Sequence, residues 1–575
     1  MKMRIIKTDY GHKSIYIITI LSWVFVLYNL QTGFKSYADE AFFILGLNPE
    51  QSLGIQHSQF FQIARPIFKL FRLDYTIICS RIAAFIITFS TLFFFAFASY
   101  RWLEKKERIK ESFYLYLSLV FLWGMPIFLS GYEMSFSFNH LLIFFATFML
   151  SFYLLWDVTN KTTIKQLFVY AIGCFSFPAI MNYFPSGILV SPALLFLIIL
   201  KEKNHWKRIV LSLSTFIIGM ISFAIAYNSF VYPIENAIND IIASIKTPAF
   251  GTGGYDVYSY IQLNVDYLKN FVLIFLCTIG ICFIYYINQR QKYYDKTILS
   301  ICIFIAVLLF VAFERKIFRY NILLIPIIMS GAFYYLSLPV SEKRKNKIQF
   351  NSIVQWLFLL FFPVIALQGT NVDIIYKLSY LGFIWILMLA YHLFQIKDTF
   401  LYTFILYLTV IMMLCICFGG HLYSNVNVRG TIFDSKYKVE NSPMFNHIKL
   451  KQSQVDYFQE VDSILKIHHF NPLQDRIYVL DYDYAALLYL NAVNYGGLMH
   501  HIENMINYKS IFFSQENAPD YIIFRRSDER IFHKMVKNFN WHLYGEYIMY
   551  EIGNPESPEL IGNRILLIKN NKKTE

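Results

Sequence analysis

The sequence predicts a polytopic α-helical membrane protein of about thirteen transmembrane helices, followed by a C-terminal soluble α/β domain. Three observations predict it. Apolar residues make up 56% of the 575 and aromatics 19%, while charged residues fall to 15%, against roughly 25% in an ordinary soluble domain. Apolar runs of about 17 to 24 residues, long enough to cross a hydrocarbon core, recur up to Gly419-Gly420. Beyond that pair the composition becomes that of a soluble domain of 155 residues, large enough for its own core. The expected division is therefore a membrane domain over 1–420 and a soluble domain over 421–575.

Taken in order, the expected spans cover 14–32, 76–99, 113–130, 140–156, 165–181, 186–200, 208–231, 269–287, 298–313, 319–338, 352–368, 379–396 and 399–419. Phe177-Pro178 and Tyr183-Phe184-Pro185 interrupt one long apolar stretch, which is split into two short helices around a proline-marked turn. The charge bias supports that split. With the N-terminus inside, 23 Lys and Arg fall in the inner segments and ten in the outer loops between spans, the sense of the positive-inside rule. The first span is long and lacks a small-residue cleavage site, so it reads as a retained helix rather than a cleaved leader. The net charge of +13 does not point to nucleic acid, because the basic residues sit in short runs between spans.

In the C-terminal domain, Arg476 to Leu480, Asp520 to Phe524 and Arg564 to Ile568 read as buried strands, and Glu529 to Phe539 has helical spacing. The count of thirteen places this domain on the outer, non-cytoplasmic face. All seven cysteines (Cys79, Cys174, Cys277, Cys282, Cys302, Cys415 and Cys417) lie in spans, so neither a disulfide framework nor a zinc cluster is indicated.

The chemistry is concentrated just beyond the first span, in Tyr37-Ala38-Asp39-Glu40-Ala41-Phe42-Phe43. Two readings fit this acidic pair. Asp39 can cap a short helix running from Glu40 to about Leu47, with Glu40 favoured in its first turn by the helix dipole. Alternatively, a carboxylate at a surface that partly excludes water can take a proton from an attacking hydroxyl. Downstream, Ile55 to Leu73 interleaves aromatics with Gln, Arg and Lys, and is expected to lie in the interface plane, broken at Pro66. Tyr232 to Tyr267 is the other long outer connection, and its Thr247 to Tyr255 stretch has the glycine content of a lid.

An acidic pair in the first outer loop, an amphipathic first loop, many spans and a C-terminal outer α/β domain together resemble the GT-C superfamily of membrane glycosyltransferases. The nearest likeness is to the branch of protein O-mannosyltransferases and lipid A aminoarabinose transferases. Three local patterns add to it: Ala64-Arg65-Pro66-Ile67-Phe68, Ser80-Arg81-Ile82, and Arg315 to Pro326 with its Arg319-Tyr320 pair. The resemblance implies transfer of a sugar from a polyprenyl phosphate to a hydroxyl of a glycan, lipid or protein acceptor, with inversion, on the non-cytoplasmic face of a multi-pass protein of a bacterial inner membrane. Asp39 and Glu40 become the expected catalytic residues, Asp39 as the base and Glu40 as a supporting neighbour that binds the acceptor or shapes the local charge. Because the departing lipid phosphate gains a second negative charge, fixed cations there stabilise the transition state more than the ground state. Arg65, Lys69, Arg315 and Arg319, with Tyr320, are the candidates; the alternative for each cation is snorkelling at the headgroup level.

Glu133, in a short outer loop, is a candidate for acceptor or metal contact, with a plain loop acid as the alternative. A divalent metal stays open, and no nucleotide cofactor is expected. Asp481-Tyr482-Asp483 follows a strand as metal-binding acids do in nucleotide-sugar enzymes, but an outer domain has no access to cytoplasmic nucleotide sugars. Adjacent pairs His468-His469 and His500-His501 point apart on a helix or strand and make poor metal sites. Competing readings are a flippase for lipid-linked glycans, disfavoured by the lack of an internal repeat, and a non-catalytic assembly protein that keeps the fold.

Overall fold

The structure is a computed structural model. It describes residues 2–33, 39–51, 58–107, 111–129, 134–246, 324–337, 350–367, 374–423, 434–439, 442–480, 483–495, 519–526, 547–553 and 564–569, with a few isolated positions between these runs.

The first half of the chain forms α1 (Lys2–Asn29), α2 (Asp39–Leu47), α3 (Phe60–Leu70), α4 (Ile77–Glu107), α5 (Phe113–Gly124), α6 (Pro126–Leu129), α7 (Phe138–Val158), α8 (Thr162–Asn182), α9 (Phe184–Glu202), α10 (Trp206–Phe230) and α11 (Ile234–Lys246). Then follow α12 (Leu324–Ser337), α13 (Phe350–Ala366), α14 (Ile374–Leu381), α15 (Ile386–Leu393) and α16 (Thr399–Tyr423). Among the described residues seven helices are long and apolar enough to cross a membrane, and four shorter apolar helical stretches lie beside them. The expected span at 298–313, and most of 269–287, lie outside the described residues.

The proline-marked split is present as two helices, α8 and α9, meeting at Tyr183. Their direction follows from the partners of α8 on α10. Gln166 bonds Ser212 at 3.2 Å, Gly173 and Gly219 meet near the middle, and Phe177 meets Tyr227 edge to face at 5.5 Å, so the two helices run parallel. A parallel pair needs α9 to cross back between them. The approach is close because both glycines lack a side chain: a Cβ on Gly173 would stand 2.2 Å from the Phe216 carbonyl oxygen, and one on Gly219 2.3 Å from that of Tyr170.

Two sequence expectations need correction. The span at 113–130 is not one helix; it breaks between Gly124 and Pro126, where proline removes a backbone donor and restarts the chain as the short buried α6. Conversely, α3 is not broken at Pro66, which lies inside a continuous helix. An interior proline costs about 3 kcal/mol, whereas burying one Phe side chain contributes about 1.5–3 kcal/mol. Phe60, Phe61 and Phe68 are all buried, so packing wins.

At one end of the helices, Asp157 of α7 accepts Trp102 Nε1 at 2.7 Å, Lys106 Nζ at 3.0 Å and Gln355 Nε2 at 3.3 Å, and pairs with Lys201. That network joins α4, α7, α9 and α13. The opposite end carries α2, α3 and the loop before α7, where Phe136 N donates to Ser80 Oγ at 3.0 Å and Phe138 stacks on Tyr183 at 5.5 Å.

The C-terminal part has a small pair β1 (Tyr437–Lys438) and β2 (Lys449–Leu450), helices α17 (Gln452–Ile467) and α18 (Tyr484–Leu490), and strands β3 (Ile477–Val479), β4 (Tyr521–Arg525), β5 (Tyr547–Ile552) and β6 (Arg564–Lys569). Four strands form one sheet in the order β3-β4-β6-β5, with β3 parallel to β4 and the other pairs antiparallel. The three strands expected from their apolar runs are present, and β5, most of whose residues are partly or fully exposed, is an addition. Most of the helical stretch expected at 529–539 lies outside the described residues.

Candidate functional site

The helix expected from Glu40 to about Leu47 forms as α2, with Asp39 as its first residue. Its second residue, Glu40, is fully buried. A buried carboxylate needs a cation and hydrogen bonds, and Arg81 of α4, also fully buried, supplies both: Nε donates to Glu40 Oε1 at 2.8 Å and Nη2 to Oε2 at 3.1 Å. Ser135 Oγ donates to the same Oε1 at 2.6 Å.

Arg81 spends its remaining donors on the end of α1. Nη1 donates to the carbonyls of Leu30 at 2.7 Å and Thr32 at 3.4 Å, and Nη2 to that of Gly33 at 2.7 Å. All five guanidinium N–H groups are thereby used, which only arginine, with its planar fork, can do. Arg81 thereby ties the exit of α1 to the head of α2, and Glu40 ties that head to the loop before α7 through Ser135.

The far end of α2 is held by a second arginine. Arg65 Nε donates to the carbonyl of Gly46 at 2.9 Å, and Nη2 to those of Asn48 and Gln51, each at 2.9 Å. These are carbonyls at and just past the helix C-terminus, where a cation also meets the negative end of the dipole. Between the two ends, Phe42 and Phe43 pack on Phe60, Phe61 and Phe138.

The C-terminal domain grips the same loop. Gly33 N donates to Lys449 O at 2.7 Å and Lys449 N to Gln31 O at 2.8 Å, while Phe42 lies against Tyr484 with ring centroids 6.1 Å apart. The carbonyls of Leu30, Thr32 and Gly33 thus face Arg81, while the Gln31 carbonyl and the Gly33 N–H face Lys449 of β2.

The sequence candidates are distributed unevenly over this frame. Asp39 heads α2, Glu40 sits in the buried network, Arg65 anchors the C-terminal end of α2, and Lys69 is exposed on the last turn of α3. Arg315, Arg319, Tyr320 and Glu133, like the glycine-rich Thr247 to Tyr255, lie outside the described residues. Sequence reasoning placed Arg81 in a pattern but gave it no role. The signal was available, since an arginine five residues into an apolar span must find a partner. Ser135 carried no signal.

Among the described residues no group of three or more His, Cys, Asp or Glu side chains could hold a metal ion. Asp483 is instead paired with Arg564 at the start of β6, Nε to Oδ1 at 2.7 Å, both side chains fully buried. Asp481, His500 and His501 lie outside the described residues, and His468 Nε2 contacts Tyr550 Oη at 2.8 Å.

No family model matches the chain, and no curated protein does. Three solved structures are similar to it. ArnT from Cupriavidus metallidurans in the apo state is 11% identical over 97% of this chain and 98% of its own, with a TM-score of 0.43. The same protein bound to undecaprenyl phosphate is 12% identical over 96% and 97%, with a TM-score of 0.41. The Archaeoglobus fulgidus oligosaccharyltransferase in complex with Zn and sulfate is 11% identical over 95% of this chain and 72% of its own, with a TM-score of 0.42. By its own helices and strands, the chain is a multi-pass α-helical membrane protein with a C-terminal soluble domain built on a β-sheet.

Proposed function

We propose that this protein is a membrane glycosyltransferase that moves a sugar from a polyprenyl phosphate to an acceptor hydroxyl on the non-cytoplasmic face, with Asp39 as the general base. The membrane domain, residues 1–420, carries the reaction, and residues 421–575 form the outer domain. The observation that carries this reading is the division of labour in the acidic pair. Glu40 is committed to Arg81 and Ser135, and Asp39 is the neighbouring carboxylate at the head of a helix fixed at both ends. A base on a short side chain and a rigid support is what oriented proton abstraction requires.

In the proposed step Asp39 takes the acceptor hydroxyl proton as that oxygen bonds to the anomeric carbon. The bond from that carbon to the phosphate oxygen breaks on the opposite side, and the polyprenyl phosphate leaves with the electron pair. Its added negative charge is met by Lys69, Arg315 and Arg319, with Tyr320 as a hydrogen-bond donor; Arg65, whose donors face α2, serves as a support instead. Glu40 shapes the site through its neighbour.

Asp39→Asn is the deciding variant. It keeps the size of the side chain and removes the base, so transfer in membranes supplied with defined polyprenyl-phosphate sugars should fall by roughly a hundredfold or more, with expression retained. Asn is about as good an N-cap as Asp, so a purely capping residue would leave turnover near normal, and that result sinks the mechanism.

A further inference from the structure

Gln51 sits four residues past α2 and is almost fully buried, although it belongs to a loop. A buried carboxamide must place both its donor and its acceptor. Gln51 places them on one short segment of the C-terminal domain: Nε2 donates to Ala492 O at 2.9 Å, and Oε1 accepts Asn494 N at 3.1 Å. The side chain thus engages 492–494 as the peptide group of a neighbouring strand would.

That segment belongs to the edge of the sheet. Asn494 pairs alongside Ile477 in a parallel bridge, Tyr495 N donates to Ile477 O at 2.7 Å, and Asn494 Oδ1 accepts Val479 N at 2.9 Å. Its other side takes the membrane-domain loop, because Leu53 forms a parallel bridge with Leu498. The edge strand β3 is therefore extended first by 494–495 and then by the loop that follows α2. Meanwhile the main-chain carbonyl of Gln51 accepts Arg65 Nη2 at 2.9 Å, the same arginine that holds the carbonyls of Gly46 and Asn48.

We infer that Gln51 is a positioning residue: it is the joint through which the sheet edge of the C-terminal domain sets the placement of α2, and with it Asp39. The soluble domain is then a working part of the site. This inference rests on the proposed reaction only for its kinetic consequence, since the mechanical coupling can be read without any substrate.

The experiment is amide hydrogen exchange on the purified full chain in lipid nanodiscs, comparing wild type with Gln51→Leu and Gln51→Glu. Gln51→Leu removes both bonds at similar volume. Exchange over residues 43–47 should rise at least about tenfold while β3 and β4 keep their protection. Gln51→Glu keeps the acceptor for Asn494 N and should fall between the two; it carries the test if Gln51→Leu does not fold. In the transfer assay both variants should lower kcat and leave the donor KM unchanged, the pattern of a misplaced base. Unchanged exchange at 43–47 overturns the inference, as does equal loss of protection across β3 and β4, which makes Gln51 a support of the sheet alone. A coupled α2 in a chain that transfers no sugar would instead count against the proposed reaction.

Discussion

Replacing Arg81 by methionine removes five hydrogen bonds at once, two to Glu40 and three to the carbonyls of Leu30, Thr32 and Gly33. Breaking a buried ion pair from one side costs about 3–5 kcal/mol, because the surviving charge stays in a medium that cannot solvate it. A carbonyl left without a donor adds about 1–3 kcal/mol, less where water enters. Arg81→Met should therefore lose about 4 kcal/mol or more. Glu40→Leu leaves the cation stranded instead and should cost about 3–5 kcal/mol. In the double variant neither charge remains, and what is lost is the donor to the three carbonyls and the acceptor for Ser135. Its loss should be smaller than that of Arg81→Met, so the coupling is at least the cost of Glu40→Leu, about 3 kcal/mol or more. Unfolding of the purified protein in mixed detergent, followed by circular dichroism as SDS is raised, measures all corners of the cycle. Additive losses would refute the argument, since they would mean that Arg81 and Glu40 stabilise the chain independently.

Three further outcomes follow from the same geometry. Arg65→Ala should lower kcat for transfer with little change in donor KM, because the three carbonyls it holds belong to the end of α2; a raised donor KM with kcat preserved would return Arg65 to the phosphate. Gly173→Leu should destabilise the α8/α10 pair by at least about 1–3 kcal/mol, since its Cβ would stand 2.2 Å from the Phe216 carbonyl oxygen, and an SDS unfolding midpoint equal to wild type would contradict the close crossing. A reporter fused after Glu575 should behave as non-cytoplasmic and one within Ser341 to Phe350 as cytoplasmic; the reverse pattern would place α2 on the inner face and remove the lipid-phosphate donor from its reach.

The sequence by itself determined the class of the protein, most helix positions and three strands of the C-terminal sheet, because hydropathy and period are local properties that a linear reading captures. It also marked the short helix after the first span, and the turn between α8 and α9, through an acidic start and a proline pair. Local signals misled where packing outweighed them. Pro66 stays inside α3 because the face carrying Phe60, Phe61 and Phe68 is buried, and β5, which pairs with β6 at the far edge of the sheet, was passed over although it opens on Tyr547-Ile548-Met549-Tyr550.

The candidate site divided in the same way. Asp39-Glu40 was legible as a carboxylate pair at a membrane boundary, with Asp39 as the base and Glu40 as its supporting neighbour, yet the structural difference between the two was not. That difference depends on Arg81, 41 residues further on, and Ser135, 95 residues further on, which reach Glu40 only after α4 and α7 have packed. Gln51 is the extreme case, a polar loop residue whose partners lie more than 440 positions away in another domain. Composition can say that a buried charge or amide must be satisfied. Which group satisfies it is decided by the arrangement of distant segments, because hydrogen bonds act over about 3 Å of space and not along the chain.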